Sequence, residues 1–158
     1  MHSPITTKIS NFIKKRLIEL LGVALVLLSI YLFASIATYS PSDPNFIYQS
    51  ENTEIKNIGG FYGSAISDFF LQSLGLISIL VVINFLYWGM KLISEKKITN
   101  FFAKIFFTLA YVFFGTIFLN LSRNDSYWLV DNGNGGFVGS IIKENIYSLI
   151  PLIENKYI

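Results

Sequence analysis

Three long apolar runs, each followed by a polar stretch, divide this chain into a repeating order of greasy segment, loop and short amphipathic segment. The first run, 17–39, carries one charge, Glu19, close to its start. At about 1.5 Å per residue a helix over this run reaches ~35 Å, enough for a hydrocarbon core of about 30 Å. The second run, 73–93, has no charge before Lys91 and carries Tyr87 and Trp88 towards its end. The third, 101–121, has Lys104 near its start and is rich in Phe. In hydrocarbon every backbone N–H and C=O must bond within its own segment, so the three runs predict three transmembrane helices.

After the first and the third runs one motif occurs twice. Gly59-Gly60-Phe61-Tyr62-Gly63-Ser64 is echoed by Gly135-Gly136-Phe137-Val138-Gly139-Ser140, and the echo continues with Asp68 matched by Glu144. After the first glycine pair the polar residues fall at Ser64, Ser67, Asp68 and Gln72, spaced i, i+3, i+4 and i+8. In the second copy Ser140, Lys143, Glu144 and Ser148 keep that spacing. Each copy therefore predicts an amphipathic helix, 59–72 and 135–150, suited to lying at a membrane interface. The paired glycines allow backbone angles closed to other residues where loop becomes helix, and Gly63 and Gly139 allow a neighbouring helix to come close. Gly133-Asn134-Gly135-Gly136 has the look of a phosphate loop, but it follows no strand and Val138 stands where the pattern needs glycine. Structural turn plus packing is the better reading. Asp68 and Glu144, in register, are candidate partner contacts; the simpler expectation puts both on the wet face of an interfacial helix.

Composition and charge fix the class and the orientation. Apolar residues make up 53% of the chain and charged residues only 14%, against about 25% charged in soluble domains. There is no cysteine, which excludes disulfides, thiol catalysis and thiolate metal sites, and the single histidine is His2. Basic residues concentrate in the N-terminal tail, 1–16, with Lys8, Lys14, Lys15 and Arg16, and around the short loop 94–100, with Lys91, Lys96, Lys97 and Lys104. The loops 40–58 and 122–134, with the helices that follow them, carry most of the acids. This asymmetry predicts a cytoplasmic N-terminus and both Gly-Gly motifs outside. The Lys14-Lys15-Arg16 cluster reads as a topology and headgroup anchor rather than a DNA contact, because DNA affinity scales with the number of phosphates neutralised. Ser35-Ile36-Ala37 has the form of a signal-peptide cleavage site, but the apolar core before it exceeds the usual 7–15 residues, so the first run is expected to stay as a span.

The repeat also works as a ruler. In the first copy the next span begins shortly after the amphipathic helix; the corresponding place in the second copy is near Ile150 and Pro151, and the chain stops at Ile158. The segment 151–158 is therefore expected to be the start of a truncated fourth span, making this chain an N-terminal fragment of a four-helix unit. Tyr39-Ser40-Pro41-Ser42-Asp43-Pro44-Asn45-Phe46 after the first span resembles a signature of the four-helix N-terminal membrane domain of FtsK/SpoIIIE-type bacterial DNA translocases. Asn57-Ile58-Gly59-Gly60-Phe61-Tyr62-Gly63-Ser64 is similar to that family's lead into its outer helix, and the second Gly-Gly-Phe-Val-Gly-Ser element to the stretch before its fourth span. The resemblance implies a multi-pass inner-membrane protein at the division septum, in contact with the bilayer and with other division proteins, and a homo-oligomer in the full-length context. The family's motor is a cytoplasmic ATPase that pumps DNA; this chain has no G-x-x-x-x-G-K-[ST] loop, so neither catalysis nor direct DNA binding is assigned to it.

The expected fold is all-α: a polytopic inner-membrane protein with three transmembrane helices, the family's fourth missing, and two interfacial amphipathic helices on the outer side. The motif positions singled out are Ser40, Pro41, Ser42, Asp43 and Pro44, with Gly59, Gly60, Gly63, Gly135, Gly136 and Gly139. No cofactor and no metal are expected. Asn84, in the middle of the second run, reads as an amide bonding across helices, and Tyr127 and Trp128 as interface anchors. The alternative function is a small polytopic transporter or channel subunit; none of the spans carries a charge near its centre, which counts against transport. An enzyme has little support, since no nucleophile, histidine and acid fall in a usable pattern.

Overall fold

The computed structural model describes residues 4–47, 54–122, 129 and 132–149, and among these every regular element is a helix. Five helices follow in order: α1 Pro4–Ala37, α2 Gly60–Leu74, α3 Ile77–Glu95, α4 Phe101–Ser122 and α5 Gly136–Leu149. Three of them, α1, α3 and α4, are long and apolar enough to cross a membrane. Ile150 and Pro151, Tyr127 and Trp128, and His2 lie outside the described residues.

α1 begins with Pro4, a residue suited to a first helical turn because its missing N–H has no partner there anyway. Its 34 residues make a helix of ~51 Å, so the basic segment before Leu17 continues the span as helix. α1 and α3 run antiparallel and form the closest pair. Gly22 and Gly89 face each other so tightly that a Cβ on either would lie 2.8 Å from the other's carbonyl oxygen. Further along the seam Ser29 Oγ donates to Val82 O at 2.8 Å. Small residues let these two backbones approach, which is how helices gain packing where lipid supplies no hydrophobic drive.

α2 and α3 are separated by a two-residue joint at Gly75-Leu76, where Gly75 adopts φ 60° and its N–H closes α2 on Leu71 O. The apolar core sits at this end of the bundle, where Leu32 and Ile36 of α1, Leu71 of α2, Val82 of α3 and Leu129 meet. α4 stands apart from this core. It touches α3 and α5 and leaves Phe102, Phe106, Phe107, Phe114 and Phe118 exposed. An exposed ladder of aromatics is costly in water and suits a lipid-facing helix.

Candidate functional site

A network of buried and half-buried polar residues lies at the core end, where α1 finishes and α2 begins. The turn after α1 is closed by Asp43 N–H on Ser40 O at 3.1 Å, with Ser40 Oγ and Ser42 Oγ 2.9 Å apart. Pro41 fixes its own φ and fills the position after Ser40. The Asp43 side chain, 3% exposed, then points back and accepts from two backbone N–H groups of the returning segment, Lys56 at 3.2 Å and Asn57 at 2.8 Å. Bonds to an ionised acceptor are stronger than neutral ones, so this acid fastens the two ends of loop 40–58 together.

Asn57 does a second job from the same place. It is 3% exposed, and its Nδ2 donates to Ser35 O at 2.7 Å, one of the carbonyls that the end of α1 leaves without a helical partner. The same nitrogen reaches Ser67 Oγ on α2 at 3.3 Å, and Asn57 Oδ1 accepts from Gly59 N–H at 2.9 Å. One amide thus closes α1, positions the start of α2 and holds the two helices together. Around it Ile58 N–H donates to Thr38 Oγ1 at 3.1 Å and Tyr31 OH to Gly59 O at 3.2 Å. Gly60 turns the chain into α2 with φ 63°. Gly63 sits directly against Asn57 Oδ1 and Ser35 Oγ, so a Cβ there would collide with both.

These contacts reverse the expected orientation of the first amphipathic helix. Its small and polar positions, Gly63, Ser64 and Ser67, are buried, whereas Phe61, Tyr62 and Phe69 are exposed. Asp68 is half-buried: its carboxylate accepts from Tyr39 OH at 2.9 Å and from Asn45 Nδ2 at 2.8 Å. The chain of bonds extends from Tyr39 OH, which accepts from Gln72 Nε2 at 3.5 Å, to Asn132, whose Nδ2 donates to Gln72 Oε1 at 2.9 Å. The wet-face reading of Asp68 fails because the returning loop supplies this face with its own partners. Helical periodicity alone has no access to that.

The second Gly-Gly copy uses the same device on a different helix. Gly135 and Gly139, one turn apart, lie on Thr116 and Asn120 of α4, with Thr116 O 2.6 Å from a Cβ built on either. Gly136 has φ 65°, matching Gly60. The turn before it docks on the α2–α3 joint, where Leu76 N–H donates to Asn134 O at 3.0 Å and the backbones of Gly75 and Gly136 abut. The copies then diverge. Glu144 is exposed, unlike Asp68. Asn120 is 2% exposed, and among the described residues neither its Nδ2 nor its Oδ1 has a hydrogen-bond partner. At the position corresponding to Asn57 the second copy has Gly133, which carries no side chain to do the same.

Elsewhere Asn84 Nδ2 donates to Thr108 Oγ1 at 2.7 Å and contacts Tyr111 OH at 3.4 Å, joining α3 to α4 mid-span. Among the described residues no group of three or more His, Asp or Glu side chains comes together to hold a metal. Gly22, Gly89 and Ser29 were not picked out by motif reasoning. The signal is there in retrospect: Gly22 and Ser29 are seven apart on α1, as are Val82 and Gly89 on α3, a seam spacing.

Three apolar helices, with two glycine-led helices fastened at one end by neutral amides, hydroxyls and an acid that bonds backbone, define a polytopic membrane domain whose polar groups hold structure. The family model described as the 4TM region of DNA translocase FtsK/SpoIIIE matches residues 14–153, and the chain belongs to that family. It is similar to the DNA translocase FtsK of Rhizobium meliloti (strain 1021), with 27% identity over 138 residues covering 85% of this chain and 15% of that protein. The FtsK of Agrobacterium fabrum is 26% identical over 134 residues with the same coverage. That of Azospirillum brasilense is 28% identical over 90 residues, 56% of this chain and 14% of the relative. The chain therefore spans about 15% of the length of these curated relatives, and the part matched is their membrane region, not their motor. No solved structure matches the chain.

Proposed function

We propose that this chain is the membrane-anchoring and assembly module of a septal DNA translocase, acting in cell division and chromosome segregation. The observation that carries the reading is the family match across residues 14–153, which includes both Gly-Gly elements and all three spans. In this role the N-terminus and the loop 94–100 are cytoplasmic, and the clamp around Asp43 and Asn57 lies on the outer side. The positive-inside charge distribution supports that orientation. α2 and α5 then lie at the outer interface, with Phe61, Tyr62 and Phe69 of α2 turned to lipid and its polar face turned to the protein. The motor is carried by sequence outside this chain. Asp68, already engaged by the loop, acts within the outer assembly surface, while exposed Glu144 is available to other division proteins.

A fluorescent protein fused to the N-terminus should give a mid-cell band in dividing cells. Uniform membrane staining would sink the septal role. Cysteines introduced at Ile58 and at Lys97 test the orientation separately, since an impermeant maleimide added to intact cells with a permeabilised outer membrane should label the first and spare the second.

A further inference from the structure

At the end of the bundle opposite the clamp, α1 and the α3–α4 loop enclose a cleft of about 560 Å³ lined by Asn11, Lys14, Lys15 and Ile18 on one side and by Lys96, Lys97, Ile98 and Thr99 on the other. The α1 positions are spaced i, i+3, i+4 and i+7, a single helix face. Lys96 takes the left-handed conformation, φ 52°, where α3 ends, and its Nζ reaches Glu19 on α1 at 2.7 Å. Glu19 also takes Arg16 at 2.5 Å. That ion pair ties the loop to α1 beside the cleft. It leaves Lys14, Lys15 and Lys97 with no ion-pair partner among the described residues. Positive-inside topology requires charges near these ends but does not require two segments to converge on one space.

We propose that this cleft binds the phosphodiester headgroup of an anionic phospholipid in the leaflet where the basic ends lie. Lys14, Lys15 and Lys97 are exposed and together raise the positive potential of one concavity, and basic pockets between membrane helices recognise anionic headgroups through such point charges. Beside the cleft, Ile9, Ser10, Ile13, Lys14 and Leu17 form a shallow, open and largely apolar face of α1. Lys14 belongs to both. A headgroup held by Lys14 has its chains directed into the bilayer along the exposed Leu17, Leu20 and Leu21 of α1, an apolar contact that a free phosphate would leave unused. A nucleic acid fits less well, because a cleft of this size engages one or two phosphates and duplex affinity needs many. The site depends on the spans being inserted in a membrane but not on septal function.

The test uses the full chain in detergent, with lipid retention read by native mass spectrometry against phosphatidylglycerol and phosphatidylcholine. Wild type should retain phosphatidylglycerol preferentially. Replacing Lys14, Lys15 and Lys97 by Gln should cut that preference on the order of 10- to 100-fold, given the few-fold effect of each basic residue near a lipid surface. Replacing the same lysines by Arg should keep it, as should Lys8→Gln with Lys104→Gln, which removes charge without touching the cleft. Equal retention of the two lipids would overturn the proposal, as would an unchanged preference in the triple Gln variant. Displacement by inorganic phosphate would make this a small-anion site, and displacement by a short DNA duplex a nucleic-acid site; either also overturns it. Resistance of the wild type to alkaline carbonate extraction is scored alongside, so failure of membrane insertion is seen separately from failure of lipid selectivity.

Discussion

Replacing Asn57 by Ala should loosen the first Gly-Gly helix from α1 without unfolding either span. The substitution removes the donor to Ser35 O and the acceptor for Gly59 N–H, at 2.7 and 2.9 Å, and the weaker contact to Ser67 Oγ. Ser35 is buried and Gly59 half-buried, so water replaces these bonds poorly. A buried donor or acceptor left unpaired costs about 1–3 kcal/mol; two of them, one partly exposed, come to roughly 2–4 kcal/mol. Converted at about 1.4 kcal/mol per factor of ten, the population with α2 undocked rises roughly 30- to 1000-fold. The chain has no cysteine, so a single reporter thiol is unambiguous. Ala65, a buried residue of α2 that is 1% exposed, is the reporter site as Ala65→Cys. Its maleimide labelling rate, divided by that of an exposed Phe61→Cys control, should rise by that factor when Asn57→Ala is added. A rise of less than threefold would show that Asn57 is not what holds this helix, and the capping argument would fail.

Asp43→Ala should destabilise the same loop by about 2–4 kcal/mol, because it leaves the Lys56 and Asn57 N–H groups without their charged acceptor; Asp43→Asn should cost less than Ala but still a clear amount, and an Asn variant as stable as the wild type would refute the charge-assisted reading. Gly89→Ala should lower the thermal midpoint of the detergent-solubilised chain more than Gly115→Ala. The new Cβ meets the Gly22 backbone in the first case and only the tip of the Ile77 side chain in the second. A double-mutant cycle between Asn84→Leu and Thr108→Val should return a coupling of about 0.6–2 kcal/mol, and a value near zero would remove that bond from the α3–α4 contact. Asn120→Leu should leave stability unchanged or raised, since the amide is buried with both polar ends unpaired; a clear loss would mean that the amide has a partner.

Periodicity was enough for the helices themselves. α3, Ile77–Glu95, and α4, Phe101–Ser122, fall on the runs 73–93 and 101–121, and α2 and α5 begin at the second glycine of each pair. These elements are legible because length in hydrocarbon and backbone satisfaction leave a helix as the only outcome. The start of α1 at Pro4 was less legible, since a basic, polar segment ahead of a span carries no length constraint of its own. The resemblance in Tyr39 to Phe46 and in the Gly-Gly elements was likewise readable, because those residues stand in order at the ends of spans.

The spans, the repeat and the family were all legible in advance, because each rests on local pattern along the chain. Which face of α2 turns inward, that Asn57 caps a helix that ended twenty residues earlier, that Gly22 opposes Gly89, and that Lys14 and Lys97 border one cleft are consequences of packing between distant segments. A helical wheel reports that polar residues share a face. It does not report whether water or a returning loop will satisfy them. At Asp68 the loop supplies the partners, with Tyr39 and Asn45 within 2.9 Å of the carboxylate, whereas Glu144 in the same register stays exposed. The two copies share a pattern, but Asn57 and Asp43 serve only the first, and the packing partner decides what each copy becomes.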